Sequence, residues 1–310
     1  MKSNKIFVIF HSAGLLASLA IACTRPLMPM ADGPLFVPPN GTPHVNEPMP
    51  AQTQSKNPGS NPLKTAPSAT PTAPACLLAG GEMREHSLRT DLLPLPLEYR
   101  VYTPPCYGEN PTQRYPVLYL IHGQSFTDDQ WDRIGADEMA GQLIAAGEVA
   151  PFLIVMPRDR VWTAPDEDMF GRALVEDIIP WIDANYRTLS ERQFRAIGGL
   201  SRGASWAVHL GLKYWELFGA IGGHSLPVFP TDIGRAPRWL DAIPSDSYPR
   251  IFVDVGTRDA DNIVESSTWF ENLLTEKGIP HEWYLFTGFH DEAYWSSHLE
   301  QYLRFYAAEW

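Results

Sequence analysis

Gly199-Leu200-Ser201-Arg202-Gly203 is the stretch of this chain with the most chemistry in it. It reads G-x-S-x-G, a pattern that sets a serine on a sharp turn between a strand and a helix. The positions two before and two after the serine must be small, because strand and helix approach each other there. A serine hydroxyl is a poor nucleophile at neutral pH. It needs a neutral imidazole to take its proton and a carboxylate to orient that imidazole. The largely apolar residues 194–200 read as the strand leading in, and residues 204–212 as the helix leading out. The pattern alone is cheap: with Gly and Ser each at about 7% of residues, about one chain in ten of this length carries it by chance. Its flanks and partners must carry the case.

The elements around the serine alternate. Residues 82–89 and 97–102 read as two strands joined by a Pro-containing turn. An apolar run at 116–121 ends in His122-Gly123. A helix is expected over 134–146 and a short strand over 152–156, ended by Pro157. The next helix, 172–186, carries Leu174, Ile178, Trp181 and Ile182 on one face. After the serine come strands at 218–223 and 251–255, a helix at 266–277, a strand at 282–286 and a last helix at 293–306. Such alternation predicts an α/β class fold: a mostly parallel sheet with helices on both faces, and the N-terminal hairpin as an antiparallel edge.

If Ser201 is the nucleophile of such a sheet, the order expected along the chain is nucleophile, acid, base, all at the C-terminal ends of strands. That geometry thins the nine histidines. His11 and His44 fall in N-terminal segments, His86 in the hairpin, and His122 in a loop before the serine. His209 and His298 lie inside helices, and His281 enters a strand at the wrong end. His224 follows a strand but precedes any acid on the next one. His290, just past the last strand, is left as the base. For the acid, Asp254, Asp259 and Asp261 compete. Asp254 is still in its strand, expected to be buried or paired with backbone; Asp259 in the following loop is favoured, with Asp261 in reserve. The oxyanion of a tetrahedral intermediate needs preorganised donors. One is the backbone N–H of Arg202 at the helix N-terminus. The other comes from the loop His122-Gly123-Gln124-Ser125, with Gln124 favoured and Ser125 next. No metal or cofactor is called for.

The rest of the 310 residues bound the setting. Lys2 and Lys5 precede an apolar stretch over 6–22, which reads as a signal peptide at 1–22. Small residues before Cys23 resemble a lipobox, which makes Cys23 a lipidation candidate; a plain secretory signal is the alternative. Residues 24–75 hold 13 prolines and no hydrophobic period. Residues 23–75 therefore read as a disordered tether, and 76–310 as one catalytic domain. A formal charge of −12 without a basic cluster argues against nucleic acid as a partner. Cys76 and Cys106 stand at the start and end of the predicted hairpin, close enough to pair in an oxidising compartment.

Several spaced blocks together resemble the esterase family of α/β-hydrolases that contains feruloyl and acetyl-xylan esterases, enterochelin esterases, S-formylglutathione hydrolase and mycolyltransferases. The blocks are Tyr99-Arg100-Val101-Tyr102-Thr103-Pro104-Pro105, Tyr115-Pro116-Val117-Leu118-Tyr119-Leu120-Ile121-His122-Gly123, Gly199 to Gly203, and Gly288-Phe289-His290-Asp291-Glu292-Ala293-Tyr294-Trp295. The resemblance implies an α/β-hydrolase fold with Ser201, Asp259 and His290 as the triad. Two positions depart from it: Ala204 replaces a common second glycine, and Arg202 replaces a common Met. Arg202 either faces the pocket or pairs outside it. The expected function is a serine carboxylesterase acting on acyl esters of carbohydrates or other small alcohols through an acyl-enzyme. An acyltransferase using the same triad and a non-catalytic surface-binding lipoprotein are the competing readings. The expected location is extracytoplasmic, lipid-anchored on the membrane face or otherwise secreted. Loops 158–168, with Trp162, and 227–249, with Trp239, are candidates to cap the acyl pocket.

Overall fold

The computed structural model describes residues 74–310. The leader at 1–22, Cys23 and the segment 24–73 lie outside the described residues. A short helix, α1 (Ala75–Leu78), starts one residue before the expected domain boundary.

Eight strands follow: β1 (Glu82–Leu88), β2 (Leu97–Thr103), β3 (Val117–Ile121), β4 (Leu153–Pro157), β5 (Arg195–Leu200), β6 (Ala220–His224), β7 (Arg250–Gly256) and β8 (Glu282–Phe286). They form one sheet in the order β1-β2-β4-β3-β5-β6-β7-β8. Pairing is parallel from β4 to β8, and antiparallel for β1–β2 and β2–β4. The hairpin is therefore the antiparallel edge the sequence predicted. β3, β4 and β5 are buried at every residue, as strands covered on both faces must be.

Helices cover each face. Helices α2 (Gln130–Arg133) and α3 (Ala136–Ala145) precede β4, and α9 (Glu292–Ser297) and α10 (Leu299–Ala307) close the chain. Side chains of α3, α9 and α10 share a core with Leu118, Leu120, Ile154, Met156 and Phe252. On the opposite face lie α4 (Phe170–Ala173), α5 (Ile179–Asn185), α6 (Arg202–Lys213), α7 (Ala236–Ala242) and α8 (Asp261–Glu276). These pack on Val117, Tyr119, Ile121, Ile197, Ile221 and Val253. The alternate strand residues thus serve two cores, as the period of two demands.

Helix α8 begins at Asp261, five residues before the expected start, and α7 lies within the loop expected over 227–249. Two further helices differ for identifiable reasons. The helix predicted over 172–186 starts at Phe170 and passes through a π-helical turn, Leu174–Ile178, between α4 and α5. Pro180 follows directly. It has no N–H to give and its ring crowds the carbonyl four residues back, and the wider turn absorbs both. Leu174, Ile178 and Ile182 are buried, but Trp181 is 43% exposed, so it does not join that face. The last helix is split at His298, whose Nδ1–H donates to the Tyr294 carbonyl at 2.8 Å. Cys76 and Cys106 form a disulfide, with Cα atoms 4.9 Å apart, tying α1 to the chain just after β2.

Candidate active site

β5 ends at Leu200 and α6 begins at Arg202, so Ser201 is the turn between them. Its φ of 53° and ψ of −120° are a conformation non-glycine residues rarely hold. Two close approaches impose it. A Cβ on Gly199 would fall 2.1 Å from the Gly203 carbonyl carbon, and one on Gly203 would fall 2.1 Å from the Ile121 carbonyl oxygen. Both obstacles are backbone and cannot move aside, which is the steric demand the sequence pattern expressed. The Ser201 N–H is held by the His224 carbonyl at 2.9 Å, and its own carbonyl accepts from Ser205 N–H at 3.1 Å.

The exits of β7 and β8 bring the partners. Gly256 and Gly288 approach so closely that a Cβ on Gly256 would lie 2.4 Å from the Gly288 oxygen. Thr257 N–H donates to Phe286 O at 2.7 Å, and Arg258 N–H to Gly288 O at 2.8 Å. This stitching sets the loop carrying Asp259 against the loop carrying His290. His290 Nε2 lies 2.9 Å from Ser201 Oγ, and its Nδ1 lies 2.9 Å from Asp259 Oδ2. The Asp259 side chain is fully buried while His290 is 30% exposed, so the acid is sheltered and the base opens outward. The Ala260 N–H also donates to Asp259 Oδ1, at 2.7 Å. Asp261 is the first residue of α8 and faces solvent, apart from this line. The three groups can pass a proton from a serine hydroxyl to an imidazole whose tautomer a carboxylate fixes.

Asp254 is neither solvated nor bound to backbone. Its Oδ1 meets His224 Nδ1 at 2.6 Å, and its Oδ2 accepts from Tyr302 OH at 2.8 Å and Tyr294 OH at 2.5 Å. Burial, and then the Asp254 carboxylate, push both phenols above their ordinary range, which keeps them as donors. This buried group of side chains lies behind the His290 loop. Trp295, in α9 just after that loop, supports it: its ring meets the His290 ring edge-on at 5.1 Å, and its Nε1–H donates to Ser225 Oγ at 3.2 Å. The family resemblance included Trp295 and the chain order excluded His224 as the base, but neither gave a sign of what Asp254 and His224 do for each other.

The two backbone N–H groups expected as oxyanion donors belong to Arg202 and Gln124. That of Arg202 is the first of α6, outside the i→i−4 ladder. That of Gln124 follows Gly123, whose own N–H is taken by Gln130 Oε1 at 2.8 Å. Gln124 and Ser125 are both exposed.

The Arg202 side chain turns away from the serine and is 10% exposed. Its Nε donates to Asp159 Oδ2 at 2.7 Å. Its Nη2 donates to Asp168 Oδ2 at 3.0 Å, Val161 O at 3.0 Å and Thr163 O at 2.9 Å. It thus gathers the whole 158–168 loop beside the site, leaving Trp162 at the loop tip 54% exposed. Trp239, in contrast, is partly buried against His209, with ring centroids 5.2 Å apart, and belongs to the core.

The chain resembles known proteins in sequence and in fold. Residues 93–306 match the family model described as "Putative esterase". An "Endo-1,4-beta-xylanase/feruloyl esterase" of Xylanibacter ruminicola is 34% identical over 136 residues, 39% of this chain and 18% of that protein. An esterase of Mycobacterium tuberculosis is 31% identical over 176 residues, 51% of this chain and 37% of that one. The chain therefore spans well under half the length of these relatives. Among solved structures, a ferulic acid esterase superimposes with a TM-score of 0.66 at 25% identity, covering 74% of this chain and 98% of that one. An S-formylglutathione hydrolase from Staphylococcus aureus gives 0.59 at 14% identity, covering 73% and 99%. The sheet and its helices are an α/β-hydrolase fold, and the chain belongs to the esterase family.

Proposed function

We propose that this protein is a serine carboxylesterase working through an acyl-enzyme. The observation that carries this reading is the hydrogen-bonded line from Ser201 through His290 to the buried Asp259. Ser201 Oγ attacks the ester carbonyl carbon as His290 Nε2 takes its proton. Asp259 holds the resulting imidazolium through Nδ1–H. The carbonyl oxygen becomes an oxyanion facing the N–H groups of Gln124 and Arg202. Collapse expels the alcohol, which leaves with the proton returned by His290. Water then enters by the same route: His290 deprotonates it as it attacks the acyl carbon, and the bond from that carbon to Ser201 Oγ breaks with the proton returned from His290 to Oγ, freeing the carboxylic acid.

Acyl esters of carbohydrates or other small alcohols are the proposed substrates. The names of the relatives support this, since one joins a feruloyl esterase to a xylanase in a single protein. Export is proposed as well, with residues 1–22 as the signal, Cys23 as the lipidated residue and 23–75 as the tether. The Cys76–Cys106 disulfide suits an oxidising compartment, and no helix among the described residues is long and apolar enough to cross a membrane.

The test is hydrolysis of p-nitrophenyl acetate by the purified protein and by Ser201→Ala. The variant is expected to lose at least about 10⁴-fold in kcat. Equal rates in the two proteins refute the serine mechanism.

A further inference from the structure

Arg202 supplies one proposed oxyanion donor from its backbone, and its side chain leads by a short path to the other. Asp159, just past β4, has its side chain only 1% exposed. Its Oδ2 accepts from Arg202 Nε at 2.7 Å and Trp206 Nε1 at 2.9 Å, and its Oδ1 from Val161 N–H at 3.1 Å. Both carboxylate oxygens are engaged, which pins the Asp159 backbone. From that pinned backbone, the Asp159 N–H donates to His122 Nε2 at 2.9 Å. An imidazole nitrogen that accepts cannot carry a proton, so the ring proton sits on Nδ1. Nδ1–H points at the Gly123 carbonyl oxygen, 2.7 Å away. His122 is 2% exposed, and burial holds its imidazole below the ordinary histidine range, in keeping with a neutral ring.

The Gly123 carbonyl and the Gln124 N–H belong to the same peptide group. That group is planar and trans, so its N–H points opposite to its C=O. Fixing the oxygen fixes the aim of the N–H. The exposed side of this loop provides one other restraint on that oxygen, the Phe126 N–H at 3.1 Å. In the sheet β3 lies between β4 and β5. The path from Arg202 to Asp159 therefore crosses over the end of β3, where the donor loop begins.

We propose that Arg202, Asp159 and His122 are positioning residues that hold the Gln124 N–H and the Arg202 N–H in fixed relation to each other at the oxyanion. The proposal rests on the serine esterase reading and adds to it two residues that touch no substrate, Asp159 and His122, and a positioning role for the Arg202 side chain. Arg202 acts on the site twice, through its own N–H and through the peptide group that carries the second donor.

The test compares wild type, His122→Phe and His122→Gln. Phe keeps the ring and removes both hydrogen bonds. Gln offers one acceptor and one donor, the same pair of functions. Losing an oxyanion donor costs about 10²–10³-fold in kcat, and mis-aiming one should cost about 10–100-fold. With p-nitrophenyl acetate, kcat of His122→Phe is expected to fall by that factor with KM changed less than about threefold, and His122→Gln to recover much of it. A trifluoromethyl ketone, which Ser201 converts to a hemiketal oxyanion, should weaken in parallel with kcat, while inhibition by acetate is unchanged. Unchanged kcat in folded His122→Phe, or equal weakening of both inhibitors, overturns the proposal. A second measurement needs no variant: ¹⁵N-coupled NMR of wild-type His122 should show a neutral ring protonated at Nδ1 at pH 7. A ring protonated at Nε2 overturns the proposal even if His122→Phe does not fold. An inactive wild type instead refutes the esterase reading and leaves this NMR result standing on its own.

Discussion

Replacing Arg202 by Met, which has similar length and no charge, should destabilise the protein by about 3–5 kcal/mol. That is the usual cost of removing one partner from a buried ion pair. The structure places this case in that range. Both carboxylates facing the guanidinium, Asp159 and Asp168, are 1% exposed. The same change frees the carbonyls of Val161 and Thr163 and removes a cation from over the Phe229 ring. The loss is tempered because Asp159 keeps Trp206 Nε1–H and Val161 N–H, and Asp168 keeps Phe170 N–H at 3.0 Å. The deficit should depend on pH. Burial pushes the Asp168 carboxyl up from an ordinary 3.8 to about 6, against the lowering influence of Arg202. A carboxyl raised in the folded state binds its proton more tightly there than in the unfolded chain. Its contribution therefore favours folding below pH 4 and is lost as pH rises through about 6. Without Arg202 that window extends further upward, so the variant keeps losing stability where wild type has levelled off. Melting at pH 8 should show a shift of roughly 6–20 °C for a domain of this size, and melting at pH 5 a smaller one. A shift under about 2 °C at pH 8, or an equal shift at both pH values, would refute the argument that Arg202 neutralises a buried acid pair.

Asp259→Asn should lower kcat by about 10⁴-fold by presenting the wrong hydrogen-bonding partner to His290, whereas Asp261→Asn should stay within about twofold; the reverse order in steady-state kinetics moves the acid to Asp261. Gly203→Ala places a Cβ 2.1 Å from the Ile121 oxygen, so it should abolish esterase activity and destabilise by about 1–3 kcal/mol or more; an active, stable variant would show that the turn can open. Reducing Cys76–Cys106, which closes a 30-residue separation, should cost about 3–4 kcal/mol, read as a lower denaturant midpoint for Cys76→Ser/Cys106→Ser with kcat nearly unchanged.

Much of the candidate site was legible in the chain because its signals are local. The G-x-S-x-G spacing states a steric condition that holds within five residues, and Gly199 and Gly203 meet it against backbone atoms. The order of Ser201, Asp259 and His290 follows from which strands they leave, and strand and helix alternation is readable from hydrophobic periods. Where the local signal failed, a geometric detail intervened. Trp181 fits the helical period, but the π turn before Pro180 shifts the face and leaves it exposed.

What only the tertiary structure decided is the set of pairings between polar side chains far apart in sequence. Arg202 meets Asp159 across 43 positions, and His224 meets Asp254 across 30. No period or spacing encodes such contacts, because each depends on the order in which strands lie in the sheet. The sequence alone could say that a serine sits on a strained turn with an acid and a base to follow. Which carboxylate reaches the imidazole, and whether Arg202 looks into the pocket or away from it, depended on how closely β7 approaches β8 and on how the loop after β4 folds over the end of β3. Hydrogen bonds need their atoms within about 3 Å, and only the packed fold sets distances that finely.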